Sequence, residues 1–175
     1  MRHLQRGRER AFDELYKRYG SKLYAYFWRQ LGQNKEVAED FTQQLFLKLI
    51  EQKAVYDPER KFSAWLFTIA GNMVKNEYRR RSRQSANNGA YRPEEAYEND
   101  RWLRQLDQPF WRTQLDRALQ GLAAKHREVF LLRYQQEMSI REISAVVNCP
   151  EGTVKSRLHY AIRYLSEQLD RCRLS

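Results

Sequence analysis

Apolar residues recur along most of this chain at the three- and four-residue spacing of helices with one buried face. The first run holds Phe12, Leu15, Tyr16, Tyr19, Leu23 and Phe27, the second Val37, Phe41, Leu45 and Leu49, the third Phe62, Leu66, Ile69 and Met73. From about residue 84 to 110 the rhythm is lost. The stretch "RQSANNGAYRPEEAYEND" combines Gly89, Pro93 and three asparagines with few apolar groups, the composition of a linker. Helical spacing then resumes through Trp111, Leu115, Leu119 and Leu122, and through Val129, Phe130 and Leu132. Nowhere does a strand-like alternation or an internal repeat appear. The expectation is an all-α protein of two small helical domains, 1–83 and 111–175, joined by a flexible linker over 84–110.

The second domain carries the clearest local signals. In "MSIREISAVVNCPEGTV", Ser139 followed three positions later by Glu142 forms a capping box, and Ile140, Ile143 and Val147 give the next short helix one apolar side. Asn148 suits the left-handed position that ends a helix, and Pro150 suits the opening of another. Two short helices joined by about four residues make a helix-turn-helix, whose second member presents its N-terminal turns to the DNA major groove. That second helix, "EGTVKSRLHYAIRYL", buries Val154, Leu158, Ala161, Ile162 and Leu165. Its polar face holds Lys155, Ser156, His159 and Tyr160, placed for base edges, with Thr153 and Arg157 placed for phosphates and Arg163 further along. An ordinary solvated face is the competing reading.

In the first domain the third helix, "FSAWLFTIAGNMVKNEYRRRSR", has a second stripe of Trp65, Thr68, Asn72, Lys75, Asn76 and Arg79, continued by Arg80, Arg81 and Arg83. Rings stack on exposed bases and cations meet phosphates, so such a stripe fits unpaired nucleic acid. The alternative is Trp65 as core and the arginines as solvated charge. In "AVYDPERKF" just upstream, Asp57 and Pro58 signal a turn, and Tyr56 stands where it would wall a pocket for an extruded base. The second helix sets Leu47 and Ile50 beside Asp40 and Gln43, opposite its inward face. Apolar groups on a polar outer side suggest docking on another protein. A covering linker or helix would explain them equally.

Composition narrows the class. With 175 residues, 42% hydrophobic content and a formal net charge of +10, the chain has material for real cores and favours an anionic partner, nucleic acid before a membrane surface. No apolar run approaches the roughly 20 residues of a membrane span, and "MRHLQRGRERAF" lacks a signal-peptide core, so a cytoplasmic protein with no membrane insertion is expected. Cys149 and Cys172 lack paired ligand spacing and His3, His126 and His159 are scattered, so neither a metal nor a cofactor is expected. Without a Gly-rich phosphate loop, a carboxylate cluster or a nucleophile beside its base, an enzyme is not expected either.

Three segments in order resemble a known family. "AEDFTQQLFLKL", "YDPERKFSAWLFTIAGNMVKNEYRRR" and "SIREISAVVNCPEGTVKSRLHYAIRYL" are similar to the core-polymerase-binding helix, the −10 melting segment and the −35 reader of bacterial extracytoplasmic-function (ECF) sigma factors, the likeness running from about Ala11 to Leu169. It implies a two-domain initiation factor that binds core RNA polymerase and opens promoters, with no catalytic residues of its own. Asp40, Gln43, Gln44, Phe46, Leu47 and Ile50 would meet the clamp helices of the largest polymerase subunit, the second domain would meet the flap, and an anti-sigma factor would hold the protein inactive. Tyr56, Ile69 and Asn72 would hold a flipped base under the loop from Asp57 through Arg60 to Lys61. Trp65 would stand beside them, and Lys75, Asn76, Arg79 and Arg80 would follow the backbone. Thr153, Lys155, Ser156, Arg157, His159, Tyr160 and Arg163 would face the −35 element. Acidic Glu94, Glu95, Glu98 and Asp100 would lie in a basic channel of the enzyme.

Gln44, Gly71 and Glu151 depart from family habit. They remove a charge from the polymerase contact, loosen the −10 pocket and set an anionic group at the start of the recognition helix. From the residues alone, a free-standing dimeric helix-turn-helix repressor or activator, with Leu47 and Ile50 in its dimer interface, remains the alternative.

Overall fold

The computed structural model describes residues 1–5, 10–84 and 109–173, and all regular structure among them is helical. These residues form two compact units. The linker expected over 84–110, with its acidic residues, lies almost wholly outside the described residues. At its edges Gln84 still belongs to one helix, and Pro109 and Phe110 already belong to the next.

The first unit contains α1 (Arg2–Gln5), α2 (Arg10–Gln30), α3 (Lys35–Glu51), a 3₁₀ turn (Lys53–Val55) and α4 (Phe62–Gln84). α2 packs against α3 and α4. Gly32, at φ +88°, and Gln33, at φ 58°, reverse the chain after α2, a conformation that only glycine adopts without a Cβ penalty. Asn34 then caps α3, its side-chain oxygen accepting from the Val37 N–H at 3.0 Å. Leu23, Tyr26 and Phe27 of α2 meet Ala38, Leu45 and Leu49 of α3 and Leu66, Phe67 and Ala70 of α4, all fully buried. Tyr26 and Phe67 meet edge to face at 5.3 Å.

This core corrects the expected face of α4. Phe62 and Ile69 are only half-buried, whereas Phe67, Ala70 and Val74 are inside. Leu66 and Met73 of the expected face stay buried, so the inward side is turned by less than one residue step, roughly 70°. Both candidate faces are apolar at this end, so spacing alone does not choose between them. The choice is made by the Tyr26 ring.

The helical region after the linker contains α5 (Pro109–Gly121), α6 (Ala124–Tyr134), α7 (Ile140–Val147) and α8 (Glu151–Arg173). α8 is its spine, packing against both α5 and α6. Leu119, Val129, Leu131, Leu132, Ile143, Val154, Ala161 and Leu165 are fully buried. α7 is capped as the sequence suggests. The Ser139 N–H donates to Glu142 Oε2 at 2.8 Å, while the Glu142 N–H donates to Ser139 Oγ at 3.3 Å. Asn148 adopts φ 55°, Ser144 Oγ donates to the Cys149 carbonyl at 2.6 Å, and α8 begins straight after Pro150. The turn of the helix-turn-helix is thus three residues, 148–150.

Candidate nucleic-acid and partner interfaces

On α3 the exposed residues Asp40, Gln43, Gln44, Leu47 and Ile50 follow one another along the outer face. Leu47 is 60% exposed and Ile50 39%, among the few large apolar side chains so open to solvent. Phe46 does not join them. It is 3% exposed and packs against Tyr16 at 4.8 Å and Phe12 at 5.7 Å. At 100° per residue, Phe46 lies about 120° from Asp40, which puts it on the side facing α2. Phe46, expected among the contact residues, is thus packed towards α2 and not open on this outer face.

The α4 stripe is outward where the sequence places it. Asn72, Asn76, Arg79 and Arg80 are exposed, and Trp65, Ile69 and Lys75 half-buried. Gly71 is buried, so its missing side chain is not missing from the stripe itself. Tyr56 is almost fully buried, its ring 5.0 Å from Trp65 and 5.7 Å from Phe62. Its hydroxyl donates to the Arg60 carbonyl at 2.7 Å, so the tyrosine anchors the loop rather than walling an open pocket. In that loop the Asp57 carboxylate accepts from the Glu59 N–H at 3.0 Å and lies 3.6 Å from Arg60, and Asp57, Arg60 and Lys61 all face solvent.

Sequence reasoning missed two residues here. Gln5 of α1 donates through Nε2 to the carbonyls of Lys53, at 2.8 Å, and Tyr56, at 2.9 Å, tying the chain start to this loop. Nothing in the local sequence signals a bond across some fifty residues. Glu77 was legible in principle, as an acid three and four positions before two arginines. Its buried carboxylate bonds Arg80 and Arg81, and these bonds, against the opposing effect of burial, hold its pKa down at about 2.

On α8, Lys155 and Ser156 are exposed with Glu151 and Gly152, while Thr153, Arg157, His159 and Arg163 are half-buried along the same flank. Ser156 Oγ donates to the Thr153 carbonyl at 3.0 Å, and Arg163 lies 3.7 Å from Glu167. Tyr160 is half-buried like His159, and its ring also packs 4.3 Å from the buried His126 of α6. His126 is the other feature spacing could not reveal. Burial first, and then the charges of Lys125 and Arg157, lower its pKa to about 4, and its Nδ1 finds no hydrogen-bond partner among the described residues.

Among the described residues no helix is long and apolar enough to cross a membrane, and no group of three or more His, Cys, Asp or Glu side chains could hold a metal ion.

Two families match, sigma-70 region 2 over residues 15–84 and sigma-70 region 4 over residues 112–165. The ECF RNA polymerase sigma factor SigL of Mycobacterium tuberculosis is 34% identical over 152 residues, 86% of this chain and 84% of its own. This chain belongs to the ECF sigma factor family. SigW of Bacillus subtilis, also an ECF sigma factor, is 28% identical over 187 residues, 97% of this chain and 94% of its own. The solved structure of CnrH in complex with the cytosolic domain of CnrY is 27% identical with a TM-score of 0.68, covering 97% of this chain and 94% of that one. The sigma factor described here thus directs promoter-specific transcription initiation with RNA polymerase. With both regions present in order, the free-standing repressor reading is not favoured. Family members are non-catalytic DNA-binding regulators.

Proposed function

We propose that this sigma factor grips promoters through two surfaces of different kind. Asn72, with Ile69 and Trp65 beside it and the loop of Asp57, Arg60 and Lys61 above Tyr56, holds an unstacked base of the −10 element. Lys75, Asn76, Arg79 and Arg80 follow the strand backbone. Lys155, Ser156, His159 and Tyr160 read base edges of the −35 duplex, with Thr153, Arg157 and Arg163 on its phosphates. The α3 face of Asp40, Gln43, Gln44, Leu47 and Ile50 docks on the clamp helices of core polymerase, and the second domain docks on the flap. The domains divide as 1–83 and 111–175. The protein has no catalytic role and works in the cytoplasm beside its polymerase. An anti-sigma protein holds it inactive, a reading in keeping with CnrH having been solved bound to the cytosolic domain of CnrY.

The observation that carries this reading is the α4 stripe. Exposed amides and arginines at helical spacing run on from a packed aromatic group, an arrangement that suits bases more than plain solubility. Extruding a base costs a few kcal/mol, which stacking and amide contacts offset. Asn72→Ala should therefore slow promoter opening by reconstituted holoenzyme, followed with a fluorescent base in the −10 element, and leave binding to core polymerase unchanged. Equal loss of both would contradict the assignment.

A further inference from the structure

The buried side of α4 runs through Leu66, Ala70, Met73 and Val74 and ends on an acid. Glu77 continues that spacing at the foot of the core and is 8% exposed. A carboxylate so enclosed is costly unless its oxygens are bonded. Here Arg80 donates to it through both Nε and Nη2, each at 2.8 Å, and Arg81 through Nε at 2.7 Å. The depressed carboxyl pKa agrees that these bonds outweigh burial.

Arg80 nevertheless stays open, with its side chain 64% exposed. Together with Asn76, Arg79 and Arg83 it lines a concave space of about 410 Å³ at the end of the stripe. Such a space, walled by three guanidinium groups and an amide, has the chemistry of a phosphate cradle. A free surface arginine samples many rotamers, and three neighbouring cations repel one another. Bonding one edge of the Arg80 fork to a fixed carboxylate removes much of that freedom before a ligand arrives.

We infer that Glu77 is a positioning residue of the DNA interface: its carboxylate, bonded also by Arg81, sets Arg80 in the orientation that lets the cradle take a backbone phosphate of the opened strand. The inference rests on α4 being the DNA-facing stripe. It also opposes simple electrostatics, since an acid among arginines should weaken attraction for DNA, and removing it should tighten binding.

The test uses holoenzyme assembled from the full chain and core polymerase, with promoter DNA carrying a pre-melted −10 region. Glu77→Gln keeps size and loses charge. It should weaken binding about tenfold, the scale of one charge-assisted bond, and flatten the salt dependence. In an R80A/R81A background the same change should have little further effect. Unchanged or tighter binding by Glu77→Gln, or a full additional loss in that background, would overturn the inference. Should Glu77→Gln unfold the unit, Arg80→Lys serves instead. It keeps the charge but loses the two-point bond, and it should still weaken binding severalfold; binding like the parent protein would overturn the inference. If R79A/R80A/R83A binds as the parent does, the DNA-facing reading of α4 falls as well. Loss in that triple variant without loss in Glu77→Gln sinks the positioning role alone.

Discussion

On α3 a single residue step separates an enclosed side chain from an open one. Phe46 is enclosed by Phe12 and Tyr16, while Leu47 beside it is open. Phe46→Ala should lose about 3–5 kcal/mol of stability in chemical denaturation, the cost of an emptied aromatic site. Leu47→Ala should leave stability within about 0.5 kcal/mol and weaken polymerase binding by about 1 kcal/mol or more. The reverse outcome would exchange their roles. In the second unit, His126 lies behind Tyr160 with its pKa lowered from 6.5 to about 4. The folded unit binds fewer protons there than the unfolded chain does, so stability contributed by the neutral ring is present above pH 6.5 and drains away as pH falls towards 4. The groups set against that ring as charges, Lys125 and Arg157, are both cations and reinforce the sign. Thermal melting of His126→Phe between pH 7 and 4.5 should show a shallower decline than the parent. An identical decline would mean that this histidine does not titrate as described. The burial of Phe46 was not legible, because resemblance marks a position as important without saying which way its side chain turns.

Elements built on short-range chemistry were the most readable. The Ser139 and Glu142 cap, the left-handed Asn148 and Pro150 all act within a few residues of themselves, and the structure reproduces each one. α4 was read less well, because its buried face depends on Tyr26 of another helix, and the α1 tie through Gln5 was invisible for the same reason. α7 has only 8 residues, too few to persist alone, so its caps bear directly on the DNA-reading unit. Ser139→Ala should cost about 1 kcal/mol. Asn148→Val should cost about 1–2 kcal/mol because a β-branched residue resists positive φ, whereas Asn148→Gly should be close to neutral. Denaturant titration of the three variants ranks them, and a Val variant as stable as the Gly variant would refute the left-handed turn as a determinant.

For the whole molecule, the break in apolar rhythm near residue 84 correctly announced two helical units, and the order of motifs along the chain announced their family. What two separate units imply energetically can be measured. The proposed groove reader on α8 and the proposed base trap on α4 lie in different units, so their contributions to promoter binding should add. Lys155→Ala should weaken holoenzyme binding to duplex carrying the −35 element by about 1–3 kcal/mol and leave binding to a −10 fork lacking that element unchanged. Asn72→Ala should do the opposite, because an amide that meets an unstacked base has nothing to hold in closed duplex. On a complete pre-melted promoter the double variant should equal the sum of the two losses within about 0.5 kcal/mol. A double variant no worse than either single would mean that one surface cannot engage without the other. The two units would then act as one cooperative clamp and not as independent grips on a tether.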